Sequence, residues 1–244
     1  MIDDPYRDTD LVGLYDLDNP GGADHEFFRG LADQIDARSI IDLGCGTGLL
    51  TRSLARPGRT VIGIDPSRTM VDYACRQPGS ESVTWIRGDA SALAPTGTAD
   101  LVLCTGNAIM HVSPQALPST LTSIVRALRT AGIVSFESRN PACRAWEHWT
   151  PAATYSERVT SAGQLREWLD VTDVDGGRVV FDAHNVFPDG EDRVYTSTLF
   201  FRGAEEFRRE LETAGFTGIT CSGDWHGAPV EDVSRILVFR AQRA

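Results

Sequence analysis

At 244 residues, with 34 acidic against 23 basic side chains and a formal charge of −11, the chain has the length for one large α/β domain with an elaboration or for two small domains. No Lys/Arg cluster rises above this acidic background, which argues against a phosphate-backbone partner and leaves nucleic acid outside the expected substrates. The opening Met1-Ile2-Asp3-Asp4-Pro5 has no positive flank and apolar stretch of the leader type, and no apolar run approaches membrane-spanning length, so a soluble cytoplasmic protein with no membrane partner is expected.

The segment before the first helix carries Tyr6, Tyr15 and Asp16 and reads as an arm. From Asp24 to Asp36, Phe27, Phe28, Leu31, Ala32 and Ile35 recur at helical spacing. Alternating units follow: a strand over 39–43, a helix over 49–55, a strand over 60–64, a helix over 67–75 and a strand over 84–86. Short β-rich runs alternating with helices predict a parallel, doubly wound sheet. A fourth strand over 100–104 and a helix bearing Leu117, Leu121, Ile124, Val125 and Leu128 come next, with Gly132 expected to mark the end of that helix, and a fifth strand over 133–136 completes this run. Between Arg139 and Arg202 the alternation stops, and Gly176-Gly177 and Pro188-Asp189-Gly190 are turn signals between the runs 179–186 and 194–201. This predicts an antiparallel meander inserted after the fifth strand. A helix over 205–214 and strands over 217–221 and 236–239 then rejoin the core.

The motif that carries most information is Ile40-Ile41-Asp42-Leu43-Gly44-Cys45-Gly46-Thr47-Gly48, an apolar strand running into a glycine-rich turn, with Asp65 closing the next apolar run. Glycine is required where a backbone takes positive φ or approaches a ligand closely. An acidic residue about 20 residues on, at the end of the following strand, suits a ribose diol, because a carboxylate accepts both hydroxyl hydrogens. The dinucleotide fingerprint G-x-G-x-x-G places its third glycine where this chain has Leu49. The spacing Asp42-x-Gly44-x-Gly46-x-Gly48 instead resembles the first motif of the class I S-adenosylmethionine (SAM) methyltransferases.

That resemblance spans about residues 38 to 138 and, more weakly, 203 to 244. It implies a mostly parallel, seven-stranded Rossmann-like sheet whose final strand pair is antiparallel, with SAM as cofactor. Asp65 and Pro66 would hold the ribose. Asp89 and Ala90 would meet the adenine ring, with Met70 on its face. Asp42 and the Gly44 and Thr105 carbonyls would face the ammonium of the methionine tail, Cys45, Gly46 and Asn107 would also line the cofactor, and the segment with Tyr6, Tyr15 and Asp16 would fold over it. For Asp89 a helix N-cap, for Met70 an ordinary core position and for Cys45 a small buried hydrophobe are the competing readings. The run Gly106-Asn107-Ala108-Ile109-Met110-His111 is similar to the Gly-Asn-Ser-x-x-His loop of small-molecule N-methyltransferases, and it lacks the Pro-Pro-Tyr/Phe of enzymes acting on nucleobase or glutamine amines.

His111 is the candidate general base, since it titrates near neutrality beside the cofactor loop. Helix packing or capping is the alternative. Arg139, Asn140, Trp146, Trp149 and Tyr155 are expected to build the acceptor pocket, with Arg144, His148, His184 and Tyr195 as lesser candidates; Arg139 either forks onto a substrate carboxylate or pairs with Glu137 or a surface acid. The five widely spaced cysteines lack a C-x-x-C, and the five histidines show no ligand spacing, so reduced thiols and no metal are expected.

The organisation expected is an amino-terminal arm and helix over 1–38, a SAM-binding core over 39–138 and 203–244, and a substrate-binding β insert over 139–202 acting as a lid. The expected function is methyl transfer to a small-molecule acceptor, nitrogen slightly before oxygen or carbon, and a homodimer is compatible with it. An NAD(P)-linked oxidoreductase and a non-catalytic SAM-binding protein are the alternatives.

Overall fold

The computed structural model describes residues 6–161 and 163–244. The opening Met1–Pro5, read above as lacking a leader, lies outside the described residues.

The helix α1 (Thr9–Asp18) and helix α2 (Ala23–Gln34) lead into β1 (Ser39–Leu43), α3 (Leu49–Leu54), β2 (Thr60–Asp65), α4 (Arg68–Ala74), β3 (Thr84–Arg87), β4 (Ala99–Cys104), α5 (Leu117–Ala127) and β5 (Leu128–Arg139). The insert contributes α6 (Pro151–Thr154), β6 (Ser156–Thr160), β7 (Gly163–Asp175), β8 (Arg178–Val186) and β9 (Asp192–Phe200). The chain closes with α7 (Ala204–Ala214), β10 (Phe216–Ser222) and β11 (Ile236–Arg243).

Seven strands form one sheet in the order β10-β11-β5-β4-β1-β2-β3. Within it only β11 runs against its neighbours. The chain winds outward from β1 to β3 and then returns to β4 on the other side of β1, so the crevice between β1 and β4 is the switch point at which such sheets receive ligands. The central strands read as continuous apolar runs because both faces are covered. Successive residues alternate: Ile40, Leu101, Leu103 and Ile133 pack with Phe28, Leu31, Leu50 and Leu54 of α2 and α3. Ile41, Val102, Val134 and Phe136 pack with Leu121, Ile124, Phe207 and Leu211 of α5 and α7.

The insert forms a second, antiparallel sheet in the order β6-β7-β8-β9. Gly176 and Gly177, at φ +52° and +89°, make the β7–β8 turn, and Pro188-Asp189-Gly190 falls in the β8–β9 connection. Trp146 and Trp149 pack edge-on to Phe201 and Phe181 respectively, joining this sheet to the core.

Two expectations are corrected. The arm contains a ten-residue helix, α1, which the sequence pattern hides because Val12 and Leu14 are its only buried residues. What holds α1 is mostly polar. Asp8 caps it by accepting from the Asp10 and Leu11 amides, and its other oxygen accepts from the Tyr195 hydroxyl at 2.9 Å and from Arg193 at 3.2 Å. At the far end Arg158 forks onto Asp18 at 2.5 and 2.7 Å. Gly132, in turn, does not end α5, which stops at Ala127; it lies inside β5, where a Cβ would come within 2.9 Å of the Ala99 carbonyl of β4. The glycine answers to a strand approaching its neighbour.

Replacing Asp8 with alanine removes a helix cap and leaves the half-buried Tyr195 hydroxyl without its acceptor. The expected loss is about 2 kcal/mol, a Tm several degrees lower, with hydrogen exchange accelerating across α1 before the core strands. Unchanged exchange in α1 would show that the apolar contacts of Leu14 hold the helix unaided.

Candidate functional site

The loop leaving β1 turns through three left-handed glycines, Gly44, Gly46 and Gly48, at φ +79°, +53° and +72°. Their reasons differ. A Cβ on Gly44 would sit 2.5 Å from the Ala108 side chain, and one on Gly48 would strike the Trp85 ring. A Cβ on Gly46 would meet nothing, so Gly46 alone of the three faces open space. The glycine pattern therefore serves the protein's own packing at two positions and the crevice at one.

Asp65, at the end of β2, is 8 % exposed and joins two loops: one oxygen accepts from the Gly46 amide and the other from the Ser67 amide, each at 2.8 Å. A carboxylate has about four lone-pair sites, which makes such a group both a loop tie and a hydroxyl acceptor. Pro66 is exposed beside it. Met70, by contrast, is buried at 2 % within α4, in keeping with a core position. Asp89 is exposed, accepts from the Ser91 amide at 2.8 Å and caps a short 3-10 helix beginning at Ala90. Cys45 packs in the turn with its thiol pushed well up by burial, and the buried Cys104 thiol is pushed up in the same way. Both are protonated and inert.

Three buried side-chain groups lie at the ends of β1, β4 and β5. Asp42 accepts from the Thr51 hydroxyl of α3 at 2.6 Å, and its other oxygen has no partner. Glu137, 3 % exposed in β5, accepts the Asn107 amide at 2.7 Å on one oxygen and has no partner on the other. The Asn107 side-chain oxygen is likewise buried and unbonded, while its backbone at φ +60° starts the 3-10 helix Ala108–His111. The Thr105 carbonyl accepts from Ala108 within that turn. Burial pushes Asp42 up to about 6, helped by Asp65 and opposed by the Thr51 hydrogen bond. Burial pushes Glu137 further, up to about 8, with Asp24 and Asp42 adding to it and the Asn107 amide opposing it. Tyr15 closes the group from above: burial first, then Asp65, Asp16 and Glu137, raise its hydroxyl. Asp16 anchors this cover, accepting from the Thr47 hydroxyl and lying 3.8 Å from Arg52.

An ensemble of unpaired buried oxygens with no matching donor fits a ligand rich in N–H and O–H groups and positive charge. SAM offers an ammonium, a ribose diol and a sulfonium, so the donor set fits. Among the described residues no cluster of His, Cys, Asp or Glu has metal-holding geometry, and no helix is long and apolar enough to cross a membrane.

The expected acceptor residues divide. The Arg139 guanidinium lies over the Trp149 ring at 5.5 Å and, among the described residues, forms no ion pair, so the anticipated pairing with Glu137 or a surface acid does not occur. Asn140 turns away from the crevice: its amide donates to the Ser234 carbonyl and its oxygen accepts from Ala142, so it fastens the chain leaving β5. Trp146 is half-buried against Phe201, and Arg144 pairs with Glu147. Tyr155 is 52 % exposed, bonded to Glu157 and stacked toward Trp168, which in turn stacks on His184; the hydrogen-bonding partners of that face all belong to the insert. His111 ends its short helix with its ring edge-on to Tyr6 at 6.2 Å, partly open to solvent, and burial lowers its pKa.

Sequence reasoning placed Glu137 at a strand end and as a possible partner of Arg139 but gave it no role in the site, and it passed over the Thr47–Asp16 contact. The signal for the first was present: an acid placed directly after four residues of a buried strand. Because the folded-state pKa of Glu137 is raised from 4.5 to about 8, its contribution to stability is intact below pH 4.5 and is lost as pH rises through 8. At about 1.4 kcal/mol per unit this is several kcal/mol. Glu137→Gln is therefore expected to melt above the parent at pH 9 and level with it near pH 4; equal melting at both would mean the carboxyl is hydrated in solution.

Residues 40–132 match the family model described as a methyltransferase domain. The chain is 30% identical over 109 residues to a cypemycin N-terminal methyltransferase from Streptomyces sp, covering 44% of each chain. It is 32% identical over 131 residues to a ubiquinone biosynthesis O-methyltransferase from Methylococcus capsulatus, covering 52% of this chain and 54% of that one. The chain thus spans about half the length of these curated relatives. In fold it is similar to an amino pentose methyltransferase from Micromonospora echinaspora solved with SAM bound, at a TM-score of 0.69 and 19% identity over 95% of this chain and 97% of that one. The matched methyltransferase domain, the sheet order and the crevice at its switch point agree with one another, and in fold the chain is similar to SAM-dependent methyltransferases.

Proposed function

We propose that this chain transfers the methyl group of SAM to a small-molecule acceptor, with nitrogen favoured as the receiving atom. The observation that carries the reading is Asp65, which grips the loops after β1 and β2 at the open position of Gly46 inside a matched methyltransferase domain. SAM bound there supplies a methyl group already activated by its positive sulfur. The chain's part is then to bind, align and exclude water, a service that reaches effective molarities of about 10⁵ to 10⁸ M in well-oriented reactions.

In this reading Asp65 and Pro66 hold the ribose, and Asp89 and Ala90 meet the adenine. The unpartnered oxygen of Asp42 receives the ammonium of the tail, beside Gly44, Gly46, Thr105 and Asn107. Tyr15 and Asp16, pinned through α1 to the insert, roof the site. Residues 139–202 form the acceptor-side lid, 1–38 the covering arm, and 39–138 with 203–244 the cofactor core. Arg139, held on Trp149 and without an ion pair among the described residues, is available to an acidic group on the acceptor. His111 stays neutral at physiological pH because its pKa is lowered, which leaves a proton-accepting imidazole on the way to solvent.

The relatives named above include both an N- and an O-methyltransferase, so the preference for nitrogen rests on charge. The crevice gathers Asp42, Asp65 and Glu137, and such lining favours an acceptor that arrives as a cation.

Asp65→Asn keeps the size of the side chain but removes its charge. SAM affinity is expected to weaken by about one to two decades in calorimetry, because hydrogen bonds from a charged acceptor are each worth about 1.5 to 3 kcal/mol. A thermal shift on adding SAM or its demethylated product, absent with NAD, is the accompanying result. Stabilisation by NAD alone would replace this reading with an oxidoreductase.

A further inference from the structure

Glu137 enters the foregoing reading only as acidic lining, with no contact or step of its own. It occupies β5 opposite Val238 of β11, directly after Ile133, Val134, Ser135 and Phe136, all of which are buried. A carboxyl in such a position destabilises the fold unless something in the site uses it. The groups facing it are acidic or acceptor-only. Asp42 lies on β1, Asp24 at the start of α2, the Cys104 thiol on β4 and the Tyr15 hydroxyl on α1, and each interacts with it electrostatically. Among the described residues no Lys, Arg or His forms an ion pair with it. One oxygen is fixed by the Asn107 amide, and the other is buried and unbonded, as is the Asn107 side-chain oxygen.

We propose that Glu137 is a catalytic residue that receives the protonated amino group of the methyl acceptor at the floor of the crevice and takes from it the proton that must leave before attack. This rests on the methyltransferase reading above and names its substrate class as a primary or secondary amine. The carboxylate oxygen forms an O–H bond as the ammonium N–H breaks. The freed nitrogen lone pair then forms the N–C bond while the C–S bond breaks, its electron pair remaining on sulfur. One negative and two positive charges enter, and a neutral carboxyl, a neutral thioether and one methylated ammonium leave, so protons and charge balance. A hydroxyl acceptor would bring one donor and no charge, which leaves the surplus of acceptors unmet. A carboxyl pushed up to about 8 is also close to the acidity of an alkylammonium, so the proton moves without a large penalty in either direction.

The test compares the full-length parent with Glu137→Gln, which keeps the oxygen that the Asn107 amide needs. SAM binding is measured by calorimetry, and release of demethylated cofactor is followed across pH with amino sugars, amino acids and alkylamines and with their hydroxyl counterparts. The expected result is turnover of an amine by the parent with an ascending limb near pH 8. In Glu137→Gln, kcat/KM is expected to fall by about 100-fold or more and the limb to vanish, with SAM affinity unchanged. Glu137→Asp, which retains a carboxyl, is expected to recover part of the rate and the limb; it stands in if the Gln variant fails to fold. Full activity in Glu137→Gln, a limb at or below pH 6.5 that survives the substitution, a tenfold loss of SAM affinity, or turnover of hydroxyl acceptors alone would each overturn the proposal. So would a parent that binds SAM yet methylates none of the amines. A parent that does not bind SAM at all defeats instead the reading under Proposed function.

Discussion

The crevice depends on how backbone amides are satisfied where parallel strands end. The loops after β1 and β2 leave the ladder together; the Ile64 carbonyl of β2 still takes the Gly44 and Cys45 amides, but those of Gly46 and Ser67 need acceptors that no strand provides. Asp65 supplies them, taking Gly46 with one oxygen and Ser67 with the other. The same side chain thus fixes the spacing of two loops and places negative charge beside the open face of Gly46. In the proposed function, structure and ligand recognition draw on a single carboxylate.

Around this tie the fold keeps acids where burial works against their charge. Asp42 and Glu137 are pushed up to about 6 and about 8, and each has one oxygen without a partner. Such a site lowers the stability of the ligand-free protein and is relieved by a cation carrying several N–H groups, so binding energy is held in reserve as unmet hydrogen bonding. An acidic lining also suits SAM, which in the proposed function brings a sulfonium and an ammonium.

The cover is built differently from the floor. Helix α1 buries few apolar side chains and is fastened at both ends to the second sheet by Asp8 with Arg193 and Tyr195, and by Asp18 with Arg158. Contacts of this kind are strong enough to order a segment and weak enough to release it. Because α1 also carries Asp16, which accepts from the Thr47 hydroxyl, the same helix links the insert to the glycine turn.

The seven-stranded sheet and its order of helices were legible because both faces of each central strand are covered, which writes continuous apolar runs into the chain. The motif from Asp42 to Gly48 with Asp65 was legible because turns with positive φ demand glycine and a strand-end acid is conspicuous. Helix α1 was not, since its order comes from caps and ion pairs to residues some 140 to 187 positions away. Asn140 likewise read as a pocket residue, yet its amide is consumed by the carbonyl of Ser234, which only the folded chain brings near. What the sequence by itself determined was the layer architecture and the cofactor turn, both set by local periodicity and backbone conformation. Which carboxyls are buried, which of their oxygens lack a partner and which residues roof the crevice were decided by tertiary packing, because burial and hydrogen-bond satisfaction belong to neighbours distant in the chain.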